Sequence, residues 1–242
     1  MGEIPLRSSN TFYYHLFNGQ ICRTTKAGTE GAQQRINKNG EEVFEVFVGG
    51  LEGMLVGIEK RSFEIAGQTE YSWNFTIDDG ERRCVLGVPE NSQIARQLIS
   101  RLPDVDMNKS VAITTGTGHD IEKDKDFQWC NVHQGKDKLQ SNFTKDNPNG
   151  MPPLKVVTFK GKEQYDNTDQ LAFFDKLVHE VIIPRIKAVS ETLASNPGDL
   201  SDDSPVNIRS KDVETVIDYA EGINTSPVND APPPEDPGDL PF

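Results

Sequence analysis

Short segments in which apolar and polar residues alternate dominate the chain from Val43 to Pro89. In the segment TEYSWNFTIDDG every second residue from Tyr71 to Ile77 is apolar, which is the period of a β-strand with one apolar face. The Asp79-Gly80 pair that follows is a strong turn signal, because glycine tolerates the positive φ of tight hairpin turns. We therefore predict that this strand pairs antiparallel with the next apolar segment, RRCVLGVP.

After Pro89 the period becomes helical. Ile94, Leu98 and Leu102 recur every four residues, Asn91 or Ser92 is available as the N-cap, and Pro103 ends the segment. Two more strand-like segments follow, SVAITTGTG and FQWCNVHQG. We interpret GTG, residues 116 to 118, as a loop, because it lacks the rest of a dinucleotide-binding fingerprint.

Counted from the segment GMLVGIEKRSFEI, which precedes TEYSWNFTIDDG, the resulting order is three strands, one helix and two strands. This is the order of an OB-fold, a five-stranded Greek-key barrel with a helix between its third and fourth strands. We therefore predict a mainly β protein with an OB-fold in residues 41–165, to which LKVVTFKG adds one further strand. Residues 1–40 are polar and irregular, and we treat them as an N-terminal extension.

A long helix is predicted for residues 166–195, with a break or kink at Pro184. Its apolar face consists of Leu171, Phe174, Leu177, Val178, Val181 and Ile182. That face is available either to the barrel or to a second copy of the chain. The sequence therefore leaves a homo-oligomer open.

Residues 196–242 form an acidic tail rich in Pro, Asp, Ser and Asn. One segment, KDVETVIDYAEG, has the pattern of a short helix, and the rest lacks the apolar content needed for order. The chain has a net charge of −13, and the eleven acidic residues from Asp199 onward, against Arg209 and Lys211, account for −9 of it. The remainder carries only −4, so the charge does not argue against nucleic-acid binding by the body.

Several classes of protein are not expected. The three cysteines form no disulfide framework, no apolar segment is long enough to span a membrane, and the first residues lack a signal peptide. We therefore expect a cytoplasmic protein without membrane contact, in a bacterium or in the host of a bacteriophage. The sequence contains no phosphate-binding loop and no nucleophile elbow, so we predict neither an enzyme nor a cofactor. Cys130 and His133 form one C-x-x-H pair, but a closed zinc site needs four ligands, so no metal is predicted.

The last residues have a pattern suited to docking on another protein. Asp236 and Asp239 precede Leu240, Pro241 and the terminal Phe242. A terminal phenylalanine presents a large apolar side chain together with the α-carboxylate, so its partner needs only an apolar pocket with a basic rim. The proline stiffens the peptide, and the aspartates steer it toward that rim.

This tip resembles that of bacterial single-stranded-DNA-binding proteins, which end in a flexible linker, acidic residues, an aliphatic residue, Pro and Phe. Pro237 and Gly238 interrupt the acidic residues here, and the proportions of the chain resemble bacteriophage-encoded members. The resemblance implies a sequence-independent single-stranded-DNA-binding protein active in DNA replication, recombination and repair. It also implies that the tip recruits proteins of those processes.

An OB-fold that binds single strands needs aromatic platforms for bases and cations for phosphates. The candidate aromatics lie in the second and last barrel strands, and the candidate cations flank them. They are Tyr71, Trp73, Phe127 and Trp129, with Lys60, Arg61, Arg82, Arg83, Lys136 and Lys138. Phe75 and Ile77 share a strand face with Tyr71 and Trp73 but fit the barrel core better. The alternative function is a replisome adaptor whose barrel binds protein rather than DNA.

Removal of Phe242 separates the two predicted activities. We expect the truncated chain to lose binding to its replication or repair partners, because both the apolar anchor and its carboxylate position are lost. Oligothymidine affinity, measured by fluorescence titration, should stay nearly unchanged. A large loss of DNA affinity would contradict this division between tip and body.

Overall fold

The computed structural model describes residues 11–37, 40–65, 67–159 and 162–195. Its strands are β1 Thr11–Phe17, β2 Gln20–Thr25, β3 Gln33–Ile36, β4 Glu42–Val48, β5 Gly50–Ile65, β6 Gln68–Asp78, β7 Arg83–Pro89, β8 Val111–Asp120, β9 Lys125–Gln134, β10 Asp137–Lys138, β11 Lys155–Phe159 and β12 Lys162–Asp166. Its helices are α1 Gln93–Arg101, α2 Thr168–Leu177 and α3 Ile183–Ser195, with a 3-10 turn at Leu102–Asp104 and a π-helical turn at Val178–Ile182. The short helix predicted beyond residue 195, the acidic tail and the docking tip lie outside the described residues.

The alternating pattern of β6 predicted its two faces correctly. Trp73, Phe75 and Ile77 are at most 1% exposed, whereas the polar residues between them are half-buried on the opposite face. β6 pairs antiparallel with β7, as predicted, and the turn between them contains Gly80 with φ of +90°. The pleat therefore directs one face of this strand into the core.

Ten strands form one sheet in the order β10-β9-β8-β5-β6-β7-β1-β2-β4-β3, and β11 and β12 form a separate pair. The predicted succession of three strands, a helix and two strands corresponds to β5, β6, β7, α1, β8 and β9. The sheet is larger than a five-stranded barrel and is open in its hydrogen-bond order. Within the described residues, the outer edge of β7 pairs with β1 in parallel.

The N-terminal residues, which the sequence analysis left without structure, contribute β1, β2 and β3 to the same sheet. β1 and β2 pair antiparallel through Phe17 and Gln20, so the turn between them is Asn18-Gly19. Both turn residues have positive φ, 48° and 75°. This is the Asn-Gly signal that favours a two-residue hairpin, and it was overlooked in the sequence.

The sheet is strongly curled. Only Gly49 separates β4 from β5, although these strands occupy distant places in the sheet order. The curl also brings the Asn18-Gly19 turn against β8, where a Cβ atom on Gly19 would lie 3.0 Å from the carbonyl oxygen of Gly116. The turn therefore needs glycine for close approach as well as for its φ.

The helix α1 covers the outer edge of β9. Ser92 is its N-cap, since the hydroxyl group accepts a hydrogen bond from the Ala95 amide, and Pro103 lies in the 3-10 turn that ends it. The side-chain oxygen of Gln97 accepts a hydrogen bond from the backbone amide of Cys130, at 2.6 Å. An edge amide is thereby satisfied by a helix rather than left open for another strand.

The C-terminal helix packs on the sheet rather than leaving its apolar face free. Phe174, Val178, Ile182 and Ile186 are buried in the main core at a constant spacing of four residues. An α-helix has 3.6 residues per turn, so side chains spaced by four residues move gradually around the helix. The π-helical turn before Pro184 is wider and offsets this movement, which keeps the four side chains on one face. The predicted face was partly wrong, because Val181 is 41% exposed.

Arg185 fastens this helix to the body. Its two terminal nitrogens donate hydrogen bonds of 2.6 Å to the backbone oxygens of Pro103 and Val105. No helix among the described residues has both the length and the apolar character needed to cross a membrane.

Two valines one turn apart test this packing. Val178→Ala removes buried methyl groups and should lower the free energy of unfolding by about 2 kcal/mol. Val181→Ala removes the same atoms from an exposed site and should change it by less than about 0.5 kcal/mol. Urea unfolding followed by circular dichroism measures both, and equal effects would show that this helix face is not the one packed on the sheet.

Candidate nucleic-acid interface

Two aromatic side chains on β9 lie against glycines of β8. Trp129 stands opposite Gly116, and Phe127 stands opposite Gly118. A Cβ atom on either glycine would lie 2.4 Å from the facing ring, so only glycine admits these ring positions. The interpretation of GTG as a loop was therefore wrong, because both glycines belong to β8 and form the floor beneath the rings.

The rings lie on the outer face of the sheet. Cys130 and Val132, which alternate with them along β9, are buried in the core. Trp129 and Phe127 are half-buried and belong neither to the core nor to the apolar residues packed against it. Each ring lies against a glycine, and part of the side chain stays accessible to solvent.

The same face of β9 becomes polar and then basic toward its end. His133 is four residues after Trp129 and therefore on the same face of β9. Lys138 of β10 pairs directly with His133. Burial lowers the pKa of His133, and the charges of Lys138 and Arg101 lower it further. The imidazole is therefore neutral near pH 7. The segment of β9 from Phe127 to His133 is about 20 Å long. Lys136 is exposed in the turn that follows.

The second group of predicted contacts, on β5 and β6, lies partly under the C-terminal helix. Trp73 is 1% exposed, and its ring centroid is 6.0 Å from that of His179. Trp73 is therefore a core residue, and its ring is not accessible to a base in the way that was predicted. Tyr71 on the same strand face is 44% exposed and remains accessible.

The positive charge of Lys60 is compensated by two carboxylates. Its ammonium group lies 2.6 Å from carboxylate oxygens of both Glu90 and Asp175. Burial opposes the charge, but the hydrogen bonds that Lys60 donates to Asp175 and Glu90 outweigh burial and raise the pKa of Lys60. It is better suited to fastening α2 to the sheet than to binding phosphate.

The three predicted arginines are exposed, and each pairs with a nearby carboxylate. Arg61 contacts Glu59 at 2.9 Å, Arg82 contacts Asp79 at 2.8 Å, and Arg83 contacts Asp78 at 3.1 Å. Exposed pairs of this kind contribute roughly 0–1 kcal/mol, so a phosphate can compete with the carboxylate. These arginines stay predicted DNA contacts.

The zinc alternative for Cys130 and His133 is not supported by their placement. Residues three apart on a strand point to opposite faces, and the Cys130 side chain is in the core while His133 lies outside. A different group, His15, Cys22 and Glu45, brings possible metal-ligand atoms within 4.8 Å of one another. Sequence reasoning missed it, because its members lie on three strands that only the sheet brings together.

Glu45 already has partners that explain its burial. Its side chain is 1% exposed, and Arg35 donates two hydrogen bonds of 2.6 Å to its two oxygens. The Nε2 atom of His15 lies 2.9 Å from a carboxylate oxygen of Glu45. Burial, and to a smaller extent the charge of Glu45, raises the pKa of the Cys22 thiol to about 12. The group is therefore a satisfied ion-pair network with a protonated thiol.

Comparison of the chain with models of protein families, with curated proteins and with solved structures finds no match. The site is therefore interpreted from its own geometry.

Glu45→Gln tests the network through its pH dependence. Hydrogen bonds from Arg35, opposed by burial and assisted by His15, hold the pKa of Glu45 below its usual range. The carboxylate therefore stabilises the fold above its unfolded pKa, and this stabilisation is lost as the pH falls through the lower folded pKa.

We expect Glu45→Gln to destabilise the protein by roughly 1–3 kcal/mol at pH 7 and by progressively less below about pH 4. Exposed Glu42 on the same strand provides the control, since Glu42→Gln should change little at either pH. Urea unfolding across pH measures the difference, and a loss that does not depend on pH would rule out the ionic origin.

Proposed function

We propose that this protein binds single-stranded DNA without sequence preference and recruits partner proteins through its C-terminal tip. The observation that supports the proposal most is the pair of rings, Phe127 and Trp129, spread on glycines at the outer face of the sheet. Every base has a flat π-face, so such platforms accept any sequence. Reading a particular sequence would instead require hydrogen-bonding groups directed at base edges.

We further propose that β5, β6, β7, α1, β8 and β9 form an OB-type unit inside the larger sheet. Their order supports this, and so does the antiparallel pairing of β5 with both β6 and β8. OB-folds bind oligonucleotides with their sheet face and with the loops between the first two and the last two strands. The corresponding loops join β5 to β6 and β8 to β9.

The distribution of charge is compatible with this proposal. Most of the net charge of −13 comes from the tail, and the body carries little. Lys136 in the turn after β9 and Lys138 in β10 follow the aromatic pair and supply cations for the phosphates of a strand stacked on it.

An adaptor that binds protein rather than DNA is the second candidate. It is favoured by the carboxylate partners of Lys60, Arg61, Arg82 and Arg83, which reduce the attraction for phosphates. Both candidates include docking by the acidic tip, so only the partner of the body distinguishes them.

Substitution of the two tryptophans separates these functions. Trp129→Ala should weaken binding of labelled oligothymidine roughly 5- to 150-fold, because base–aromatic stacking contributes about 1–3 kcal/mol. Fluorescence anisotropy of the labelled strand at low salt measures the affinity without relying on tryptophan emission.

Trp73→Phe is the matched control, since it alters a ring in the core and should leave the affinity within about twofold if the fold is retained. In that variant Trp129 is the remaining tryptophan, and its emission should be quenched by oligothymidine. No binding by the unmodified protein at low salt would exclude the DNA-binding function and favour the adaptor.

A further inference from the structure

A concave site at β1 and β2, remote in sequence from the aromatic pair on β9, has the chemistry of an anion pocket. It has a volume of about 400 Å³, and its lining includes Phe12, Tyr13, Tyr14, Arg23 and Thr24. None of these residues was singled out from the sequence as a DNA contact. The pocket exists because the β1–β2 hairpin joins the edge of β7.

Two guanidinium groups converge on one ring in this region. The guanidinium carbon of Arg23 lies 5.2 Å from the centroid of the Phe12 ring, and that of Arg82 lies 5.8 Å from the same centroid. Cation–π contacts at such distances hold both groups in position against an apolar surface. Burial raises the pKa of Tyr14, and the charges of Arg82 and Arg23 oppose that rise.

Arg23 differs from the other arginines at this end of the sheet. Arg82 is paired with Asp79 and Arg83 with Asp78. Within the described part of the chain, the guanidinium group of Arg23 has no carboxylate partner, and it packs on the ring of Phe12. A guanidinium group that is held in place but not neutralised retains its donors for a planar, bidentate anion contact.

The lining that accompanies these cations is aromatic. Phe12, which holds Arg23, and Tyr14 share one face of β1, whereas Tyr13 between them is on the opposite face. A nucleotide of a single strand offers a phosphate for the guanidinium group and a base for this aromatic lining.

We propose that this pocket is a second contact site for single-stranded nucleic acid, in which Arg23 binds a backbone phosphate beside the aromatic ring of Phe12. The identity of the ligand rests on the proposed function. The pocket adds a contact that is separate from the aromatic pair on β9, so a bound strand touches the N-terminal hairpin as well as the last strands of the sheet.

The salt dependence of binding tests the role of Arg23. Each phosphate neutralised on a single strand contributes about 0.7 to the slope of log affinity against log salt concentration. We expect Arg23→Ala to reduce that slope for oligothymidine by about 0.7 and to weaken binding roughly tenfold at low salt. Lys187→Ala removes the same charge from an exposed position on α3 and should leave the slope unchanged.

Circular dichroism of both variants checks that the fold is retained, and Arg23→Lys provides a gentler change if the alanine variant does not fold. Lysine keeps the charge but lacks the bidentate fork, so it should retain the slope and still lose affinity. If the unmodified protein binds oligothymidine and the slope for Arg23→Ala equals that for Lys187→Ala, the pocket proposal is wrong while the proposed function stands.

If the unmodified protein does not bind oligothymidine, the proposed function fails, and thymidine 5′-monophosphate then tests the pocket alone. Nuclear magnetic resonance of the labelled protein should show shifts of the Arg23 Nε–H and Tyr14 ring signals on titration with this nucleotide. Shifts at both residues support a nucleotide pocket, and their absence overturns it.

Discussion

The two-residue period of the pleated strands is the constraint on which the rest of this structure depends. Each strand of the main sheet must direct one set of side chains inward and the other outward. On β6 the inward set is Trp73, Phe75 and Ile77, and on β9 it is Cys130 and Val132. The outward set on β9 is the one that meets solvent, and it contains the ring pair Phe127 and Trp129. Core and candidate interface are therefore two faces of the same strands.

A large curled sheet also has edges and an apolar face that need cover. The helix α1 satisfies an edge amide of β9 through Gln97, the hairpin of β1 and β2 pairs with the edge of β7, and the C-terminal helix packs on the core. Lys60 belongs to this covering layer, because it joins β5 to Glu90 and to Asp175 on α2. Its charge is used within the fold, which explains why a cation beside an aromatic strand need not mark a DNA contact.

Local compensation of charge decides which cations remain suited to an external anion. Lysines and arginines are spread along the chain, but Lys60, Arg61, Arg82 and Arg83 each have a carboxylate within 3.2 Å. Arg23 is held by an aromatic ring instead, and it has no carboxylate partner among the residues that the structure describes. Its guanidinium group therefore keeps its hydrogen-bond donors for an external anion.

The sequence by itself determined the elements whose signals are local. The period of β6 and the Asp79-Gly80 turn were predicted and are present, and of the two predicted N-caps, Asn91 and Ser92, the structure uses Ser92. A π-helical turn interrupts the C-terminal helix just before Pro184, where a break or kink was predicted. These features depend on residues that are close together in the sequence. The Asn18-Gly19 turn belongs to the same class and was readable, although it was overlooked.

Only the tertiary structure decided which partners those elements find. Three contacts show this: β1 pairs with β7 in parallel, Trp73 is buried under the C-terminal helix, and Trp129 lies against Gly116. The first two join residues that are far apart in the sequence. The third depends on the register between two strands, which the sequence does not specify. An alternating pattern tells which residues share a face, but it does not tell what will cover that face. The same pattern of aromatic residues therefore produced a core tryptophan on β6 and an accessible one on β9, because a helix covers the first and a pair of glycines supports the second.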